Sequence, residues 1–300
     1  MLVQIEKQSA QPRLPAFLRK PQSEFQAVTA LKRELRELHL HTVCESARCP
    51  NIHECFSRGA ATFMILGNLC TRGCSFCSVP KADPRKIAFE IDPLEPENVA
   101  AQAATMRLRY VVLTSVNRDE LPDGGSTHWA LTVAAVKRAL PAAQVETLTP
   151  DFNGDMAAVE RVLAAGPDVY NHNMETVSRL YRRVRPQADY AQSLRVLRYA
   201  KESHPEILTK SGLMVGLGET HEEVKALLRD LRTEGVADIA TIGQYLQPTR
   251  RNREVARYVE PQEYEEWRAY GESLGFRAVF AGPFVRSSYM ADLVANEATS

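Results

Sequence analysis

The feature that most constrains this chain is the placement of its cysteines. All six lie within one short stretch, at Cys44, Cys49, Cys55, Cys70, Cys74 and Cys77, and none follows before Ser300. A disulfide framework ties together distant parts of a small secreted domain, whereas this crowding would leave most of a 300-residue chain uncrosslinked. Metal ligation is the better reading, and the spacing resolves into two trios. Cys70-x3-Cys74-x2-Cys77 lies in "LCTRGCSFC" and Cys44-x4-Cys49-x5-Cys55 in "VCESARCPNIHEC". Neither trio makes the paired CxxC…CxxC of a zinc ribbon, although Cys74 and Cys77 form one half of it. A structural zinc on four of the thiols is the alternative, and iron and sulfide analysis separates it from clusters.

Charge and hydropathy remove several classes. The 37 Lys and Arg balance the 37 Asp and Glu, so the molecule as a whole has no net attraction for nucleic acid or an anionic membrane. No apolar run approaches the roughly 18 residues of a membrane span. Residues 1–30 lack the charged-then-apolar pattern of a secretory signal, and Glu6 and Glu24 interrupt any amphipathic transit peptide. A cytoplasmic protein with no nucleic-acid or membrane partner is the expectation.

After residue 60, short β-branched runs alternate with helical stretches. Strands are predicted at Thr62–Leu66, Tyr110–Thr114, Gln144–Leu148, Asp168–Asn171, Leu208–Val215, Ile239–Tyr245 and Arg277–Phe280. Helices are predicted near Pro96–Met106, Thr127–Ala139, Met156–Ala164, Tyr190–Glu202, Glu222–Thr233 and Gln262–Leu274. The rhythm predicts an α/β fold with a parallel, TIM-type (β/α) barrel that is partial or open. In such barrels the chemistry sits at the C-terminal ends of the strands, and polar or glycine-rich segments follow six of these runs, among them "TSVNRDELPDGG", "NHNMET" and "GLGET". Ordinary turn chemistry explains any one of them. The first sixty residues do not share the rhythm: an amphipathic helix in "EFQAVTALKRELRELHL" precedes the first trio. The division is therefore an N-terminal extension with its own metal ligands over 1–60, a barrel over 61–282, and a tail over 283–300.

Three thiolates on a four-iron cube leave one iron open to a reactant. The CxxxCxxC spacing, with Phe76 before the third cysteine and "ATFMILG" ahead of the loop, resembles the radical S-adenosylmethionine (SAM) superfamily. There the amine and carboxylate of SAM chelate the open iron, and electron transfer releases a 5′-deoxyadenosyl radical. If the first trio holds a second cube, two irons lack cysteine ligands; SAM accounts for one, and the other needs a non-cysteine ligand or a sulfur species.

With the first trio, the chain also carries "VNRDELPDGG" at 116–125, "NHNMETV" at 171–177, "RVRP" at 183–186, "SGLMVGLGET" at 211–220 and "RSSY" at 286–289. Together these resemble the lipoyl synthase family over roughly residues 30–293. The resemblance implies that Cys44, Cys49, Cys55 and Ser288 hold an auxiliary [4Fe–4S] cluster and that Cys70, Cys74 and Cys77 hold the SAM cluster. Read alone, Ser287 and Ser288 would pass for a helix N-cap pair. The implied reaction inserts two sulfur atoms, at C6 and C8 of a protein-bound octanoyl-lysine, with the auxiliary cluster as the consumed donor and a sulfurtransferase activity as the result. Saturated methylenes offer no acidic proton or leaving group, so a radical must open the reaction. Implied partners are octanoylated carrier domains of a 2-oxoacid dehydrogenase E2 or a glycine cleavage H protein, a reducing electron donor, and cluster-rebuilding proteins. Phe76, Asn171, Glu175 and Arg185 are expected to contact SAM. Surface roles for Glu175, as a first-turn carboxylate, and Arg185, as an ion-pair member, are the competing readings. His41, His53 and His172 are assigned no metal. The run "YRRVRP" is a candidate contact for an acidic carrier domain. Sulfur-inserting relatives that make biotin or modify tRNA would lack the trio-plus-serine arrangement.

Overall fold

The computed structural model describes residues 14–18, 41–42, 51, 60–86 and 90–288. The helix expected in 24–40, the first cysteine trio, His53 and the tail past 288 lie outside these residues.

Seven parallel strands run in chain order: β2 (Ala60–Ile65), β3 (Tyr110–Ser115), β4 (Gln144–Leu148), β5 (Val169–Asn171), β6 (Leu208–Val215), β7 (Ile239–Gln244) and β8 (Ala278–Gly282). The two-residue β1 (His41–Thr42) adds antiparallel to β2, so part of the N-terminal extension joins the sheet edge. Among the described residues β8 pairs with β7 alone, and the barrel stays open. Helices α1 (Glu95–Thr105), α2 (Ser126–Ala139), α3 (Met156–Leu163), α4 (Tyr181–Val184), α5 (Tyr190–Ser203), α6 (His221–Thr233) and α7 (Pro261–Ser273) fill the crossovers. The predicted partial α/β barrel is the observed architecture.

The strands are buried on both faces, as helices over a parallel sheet require. Alternation then separates two surroundings. Outward residues such as Val111, Leu113, Val145 and Tyr170 pack with Trp129 of α2 and Val159 of α3. Around β6 and β7, Val215, Ala240 and Ile242 pack with Leu227 of α6 and Trp267 of α7. Inward residues Tyr110, Val112, Val169, Leu208 and Ile239 form a third apolar group that plugs the N-terminal end of the barrel.

Above that plug lies a charged layer. Lys210 Nζ of β6 sits 2.9 and 3.1 Å from the carboxylate oxygens of Glu146 on β4, which also accepts from Tyr110 (2.8 Å) and Asn171 Nδ2 (2.8 Å). Both ionised side chains have no exposure, so their mutual pairing and these extra hydrogen bonds are what offset desolvation.

Helix starts follow local chemistry. Asp155 and Asp189 cap α3 and α5 by accepting from Ala157 and Gln192 backbone N–H groups. Thr220 and Glu223 close a reciprocal capping box on α6. Thr220→Ala should therefore lower the unfolding free energy by about 1 kcal/mol. A urea midpoint equal to that of the parent chain would show the box to be energetically idle. No helix among the described residues is long and apolar enough to cross a membrane.

Candidate functional site

Strand β2 ends one residue before the predicted limit because Leu66 turns left-handed, at φ 66°. Both of its backbone polar groups are gripped by buried side chains. Its N–H donates to Glu95 (2.7 Å), which His128 Nε2 also approaches at 2.7 Å, and its carbonyl accepts from Arg118 Nη1 (3.0 Å). The chain leaves the sheet here in a fixed direction and enters the cysteine loop.

That loop is closed on itself and tied to three neighbours. Cys70 N–H donates to Pro80 and its carbonyl accepts from Ala82, while Lys81 Nζ donates to the Cys74 carbonyl. Ser75 N–H reaches the Val184 carbonyl of α4, its own carbonyl accepts from Arg253, and Asn252 Nδ2 donates to the Cys77 carbonyl. The central strut is Arg72, between the first two cysteines and 3% exposed. Its guanidinium makes two bonds to Asp119 (2.7 and 2.8 Å), an ion pair with fully buried Asp151 (2.7 Å) and a bond to Asn153 (2.6 Å). One side chain thus holds the loop to the segments following β3 and β4.

Cys70, Cys74 and Cys77 are half-buried free thiols. Three N–H groups point at Cys70 Sγ: the backbone and side-chain nitrogens of Asn117 (3.4 and 3.9 Å) and the Arg72 backbone (3.5 Å). Burial pushes the Cys77 thiol up to about 11, and it raises Cys74 as well, where the Arg185 charge works in the opposite direction. Without a bound cation Cys74 and Cys77 stay protonated at neutral pH, as expected of a site in which metal displaces protons. No three His, Cys, Asp or Glu side chains among the described residues are grouped as ligands of a single ion. A four-iron cube takes its thiolates one per iron.

Facing the thiols, the segment after β5 lines the mouth. Asn171 is oriented from below by its bond to Glu146. His172 Nδ1 lies 2.9 Å from the Thr149 carbonyl, and burial with the nearby Arg185 charge lowers its pKa to about 4. The ring is neutral at physiological pH, with Nδ1 as the donor and Nε2 as an open acceptor. Glu175 is stitched to β6 through both backbone groups and adopts a left-handed φ of 65°. Burial raises its carboxyl pKa against the pull of Arg185 and Asn173. Arg185 is itself buried, donating to the carbonyls of Asn173 (2.7 Å) and Met174 (3.3 Å) and to the Tyr181 hydroxyl (2.9 Å). Asn117 Oδ1, Asn171 Oδ1, Asn173 Oδ1 and His172 Nε2 are buried acceptors with no partner among the described residues. Such groups are costly to leave unpaired, and they suit a ligand rich in N–H and O–H donors. Beside free thiols, this donor set fits an iron–sulfur cluster and an amine-bearing cofactor.

The structure thus brings Cys74 within electrostatic reach of Glu175 and Arg185 and Cys77 within reach of Glu175, and Phe76 packs at the edge of the β6–β7 core. Ser288 follows Ser287, whose hydroxyl accepts from Asn173 Nδ2 at 2.6 Å. Cys44, Cys49 and Cys55 fall outside the described residues, yet Asn51, between the second and third of them, donates to the Phe284 carbonyl of the tail (2.8 Å). Sequence reasoning passed over Arg72, Asn117, Asp119, Asp151 and Asn173. The available signal was a lone arginine inside "CTRGC", which cannot reach solvent freely if the flanking cysteines converge.

Two family models match: the radical SAM superfamily over residues 64–231, and the N-terminal domain of lipoyl synthase of the radical SAM family over residues 2–49. A lipoyl synthase of Thermus thermophilus is 55% identical over 286 residues, covering 95% of this chain and 87% of that protein. Another, from Cronobacter sakazakii, is 52% identical over 288 residues, covering 93% and 88%. Among solved structures, methylornithine synthase superposes with a TM-score of 0.54 at 16% identity, over 83% of this chain and 70% of that one. Coproporphyrinogen III oxidase from Escherichia coli, a radical SAM enzyme, gives a TM-score of 0.51 at 14% identity, over 75% and 56%. These two likenesses are of fold.

Proposed function

The chain belongs to the lipoyl synthase family of the radical SAM superfamily, and from that premise we propose how its own residues divide the work of inserting sulfur at C6 and C8 of a carrier-bound octanoyl chain. Cys70, Cys74 and Cys77 hold the SAM cluster, while Cys44, Cys49, Cys55 and Ser288 hold the auxiliary one. Bound to these two sets, the clusters and SAM supply an adenosyl radical that can take hydrogen from an unactivated methylene, together with the sulfur that replaces it.

The observation that carries this reading is the half-buried thiol trio braced by Arg72 and facing a mouth of unpartnered acceptors. Arg185 and Glu175 present opposite charges to one wall of that mouth and orient the amine and carboxylate of SAM. Asn171, fixed by Glu146, offers its free Oδ1, and Phe76 flanks the adenine. The apolar plug beneath keeps water from entering through the N-terminal end of the barrel. Segments 1–60 and 283–300 act as appendages of the barrel over 61–282; the β1–β2 pairing and the Asn51–Phe284 bond support that arrangement.

The partner is a lipoyl-carrier protein, with a 2-oxoacid dehydrogenase E2 domain or a glycine cleavage H protein as the specific candidates. An electron donor and cluster-rebuilding proteins complete the set, in the cytoplasm. Arg182 and Arg183 are exposed on α4, next to the cysteine loop, and they form a basic edge for an acidic carrier. Reversing both charges should raise KM for the carrier several-fold while leaving kcat with a short octanoyl-lysyl peptide intact. Unchanged carrier kinetics would remove that surface from consideration.

The decisive experiment is an anaerobic single turnover with protein whose clusters are built from heavy-isotope sulfide. The lipoyl-lysyl product should carry heavy sulfur. Gain of light sulfur alone would refute the donor role.

A further inference from the structure

The C-terminal tail does not simply trail away from β8. Val285 N–H turns back onto the Gly282 carbonyl (3.1 Å), and residues 285–287 then lie across the inner faces of β6 and β7. Two glycines make room for them. A Cβ on Gly243 would stand 2.0 Å from the Val285 carbonyl oxygen. One on Gly212 would stand 2.8 Å from Asn173 Oδ1 and 3.2 Å from Ser287 Oγ. At Gly243 the obstructing atom is backbone, so a side chain there cannot be accommodated by a rotamer change.

Into this seat Asn173 directs both hydrogens of its amide. Nδ2 donates to Ser287 Oγ at 2.6 Å and to Glu175 Oε1 at 3.1 Å, while the Asn173 carbonyl is fixed by Arg185 Nη1 at 2.7 Å. Three residues earlier the tail has a second anchor, where Asn51 Nδ2 holds the Phe284 carbonyl at 2.8 Å. The tail is thus strapped at one point to Asn51 and at the other to the wall of the mouth that carries Glu175 and Arg185.

We propose that Ser287 is a positioning residue: its hydroxyl, gripped by Asn173 over Gly212 while the Val285 backbone rests on Gly243, latches the tail into the barrel mouth and sets the presentation of the adjacent Ser288. The proposal rests on the reading of Ser288 as an auxiliary-cluster ligand. The two serines then have different duties. The oxygen of Ser287 is engaged from the barrel side, and Ser288 is the one left to be presented. Because Asn173 also touches Glu175, the latch joins the tail to the SAM side of the site through one amide.

Hydrogen exchange of the backbone amides of residues 284–288, measured on the protein as isolated and without SAM or substrate, reads the latch directly. Ser287→Ala should speed exchange there roughly tenfold, the loss of about one net hydrogen bond, and Ser287→Thr should restore it. Gly243→Ala, which attacks the seat and leaves the hydroxyl in place, should speed the same amides. In single-turnover assays the ratio of 5′-deoxyadenosine to lipoyl product should rise about tenfold in the Ala variant and return toward the parent value with Thr. Tail exchange in Ser287→Ala equal to that of the parent chain would overturn the latch. Lipoyl formation by Ser288→Ala at the parent rate would instead overturn the ligand assignment on which it rests. The two failures are distinguishable because exchange is read without turnover.

Discussion

Alanine at any one of Cys70, Cys74 or Cys77 is expected to abolish cleavage of SAM, whereas alanine at Cys44, Cys49 or Cys55 should leave cleavage detectable and eliminate thiolated product. The asymmetry follows from the proposed assignment, in which the two trios serve different steps. In the trio at 70–77, Cys74 feels the charges of both Glu175 and Arg185, and Cys77 that of Glu175. Asn51, which falls between Cys49 and Cys55 in the sequence, donates to the Phe284 carbonyl of the tail that bears Ser288. Iron per chain should fall from about eight to about four in either set, since each cube has four irons. Deoxyadenosine and lipoyl products, quantified in the same reaction, provide the check. Lipoyl formation by the Cys44, Cys49 or Cys55 variants would show that sulfur reaches the substrate by another route.

Arg72→Met should be the most damaging change at a residue that binds no cofactor. It leaves Asp151, which has no exposed side-chain surface, without its cation, and it deprives Asp119 and Asn153 of a shared partner. Removing one member of a buried ion pair typically costs about 3–5 kcal/mol. In a chain of this length that lowers the melting temperature by on the order of 10 °C. Acidification should expose the cause. Burial pushes the Asp151 carboxyl up, but the hydrogen bond and charge of Arg72 outweigh it and bring the group from 3.8 down to about 2. In the parent protein that depressed pKa contributes about 2 kcal/mol above pH 3.8, lost as pH falls through about 2. In Arg72→Met the burial effect prevails and the folded pKa lies above 3.8. The contribution then reverses sign: it is present at low pH and disappears as pH rises through the new pKa. The difference in melting temperature between parent and variant should accordingly be widest near pH 7 and shrink toward pH 4. A gap that is constant with pH would mean that Asp151 is not the destabilised group. Arg72→Met/Asp151→Asn should recover part of the loss.

The parallel strands were legible because two rules agree over them: β-branched runs of strand length, and helical periodicity between each pair. Val111, Leu113 and Trp129 announce their core roles in that way. Glu146 and Lys210 did not. A charge inside a strand reads locally as solvent-facing, and only closure of β4 toward β6 puts the two side chains in contact inside the barrel. The early end of β2 was also hidden, since nothing local marks Leu66 as left-handed; Glu95 and Arg118, both distant in sequence, hold it there. At the site, cysteine spacing disclosed the thiols and the "NHNMET" segment pointed to the mouth. Arg72 was missed because its partners come from two other strand ends, Asp119 and Asp151, and tertiary convergence leaves no trace in a nine-residue motif. Ser287 read only as half of a helix N-cap pair for a similar reason, since its bond to Asn173 forms where the fold brings Gly212 beneath it.

The apolar group formed by Tyr110, Val112, Val169, Leu208 and Ile239 has a consequence for traffic. With the cellar sealed, the described residues leave the doorway at the strand ends and the unzipped seam beside β8 as routes for what arrives or departs. A tethered fatty arm must wait at that threshold while spent nucleoside and methionine file out past it and fresh reagent files in. Queueing there, as well as bond-making, can then limit the rate at which finished cofactor arms are released.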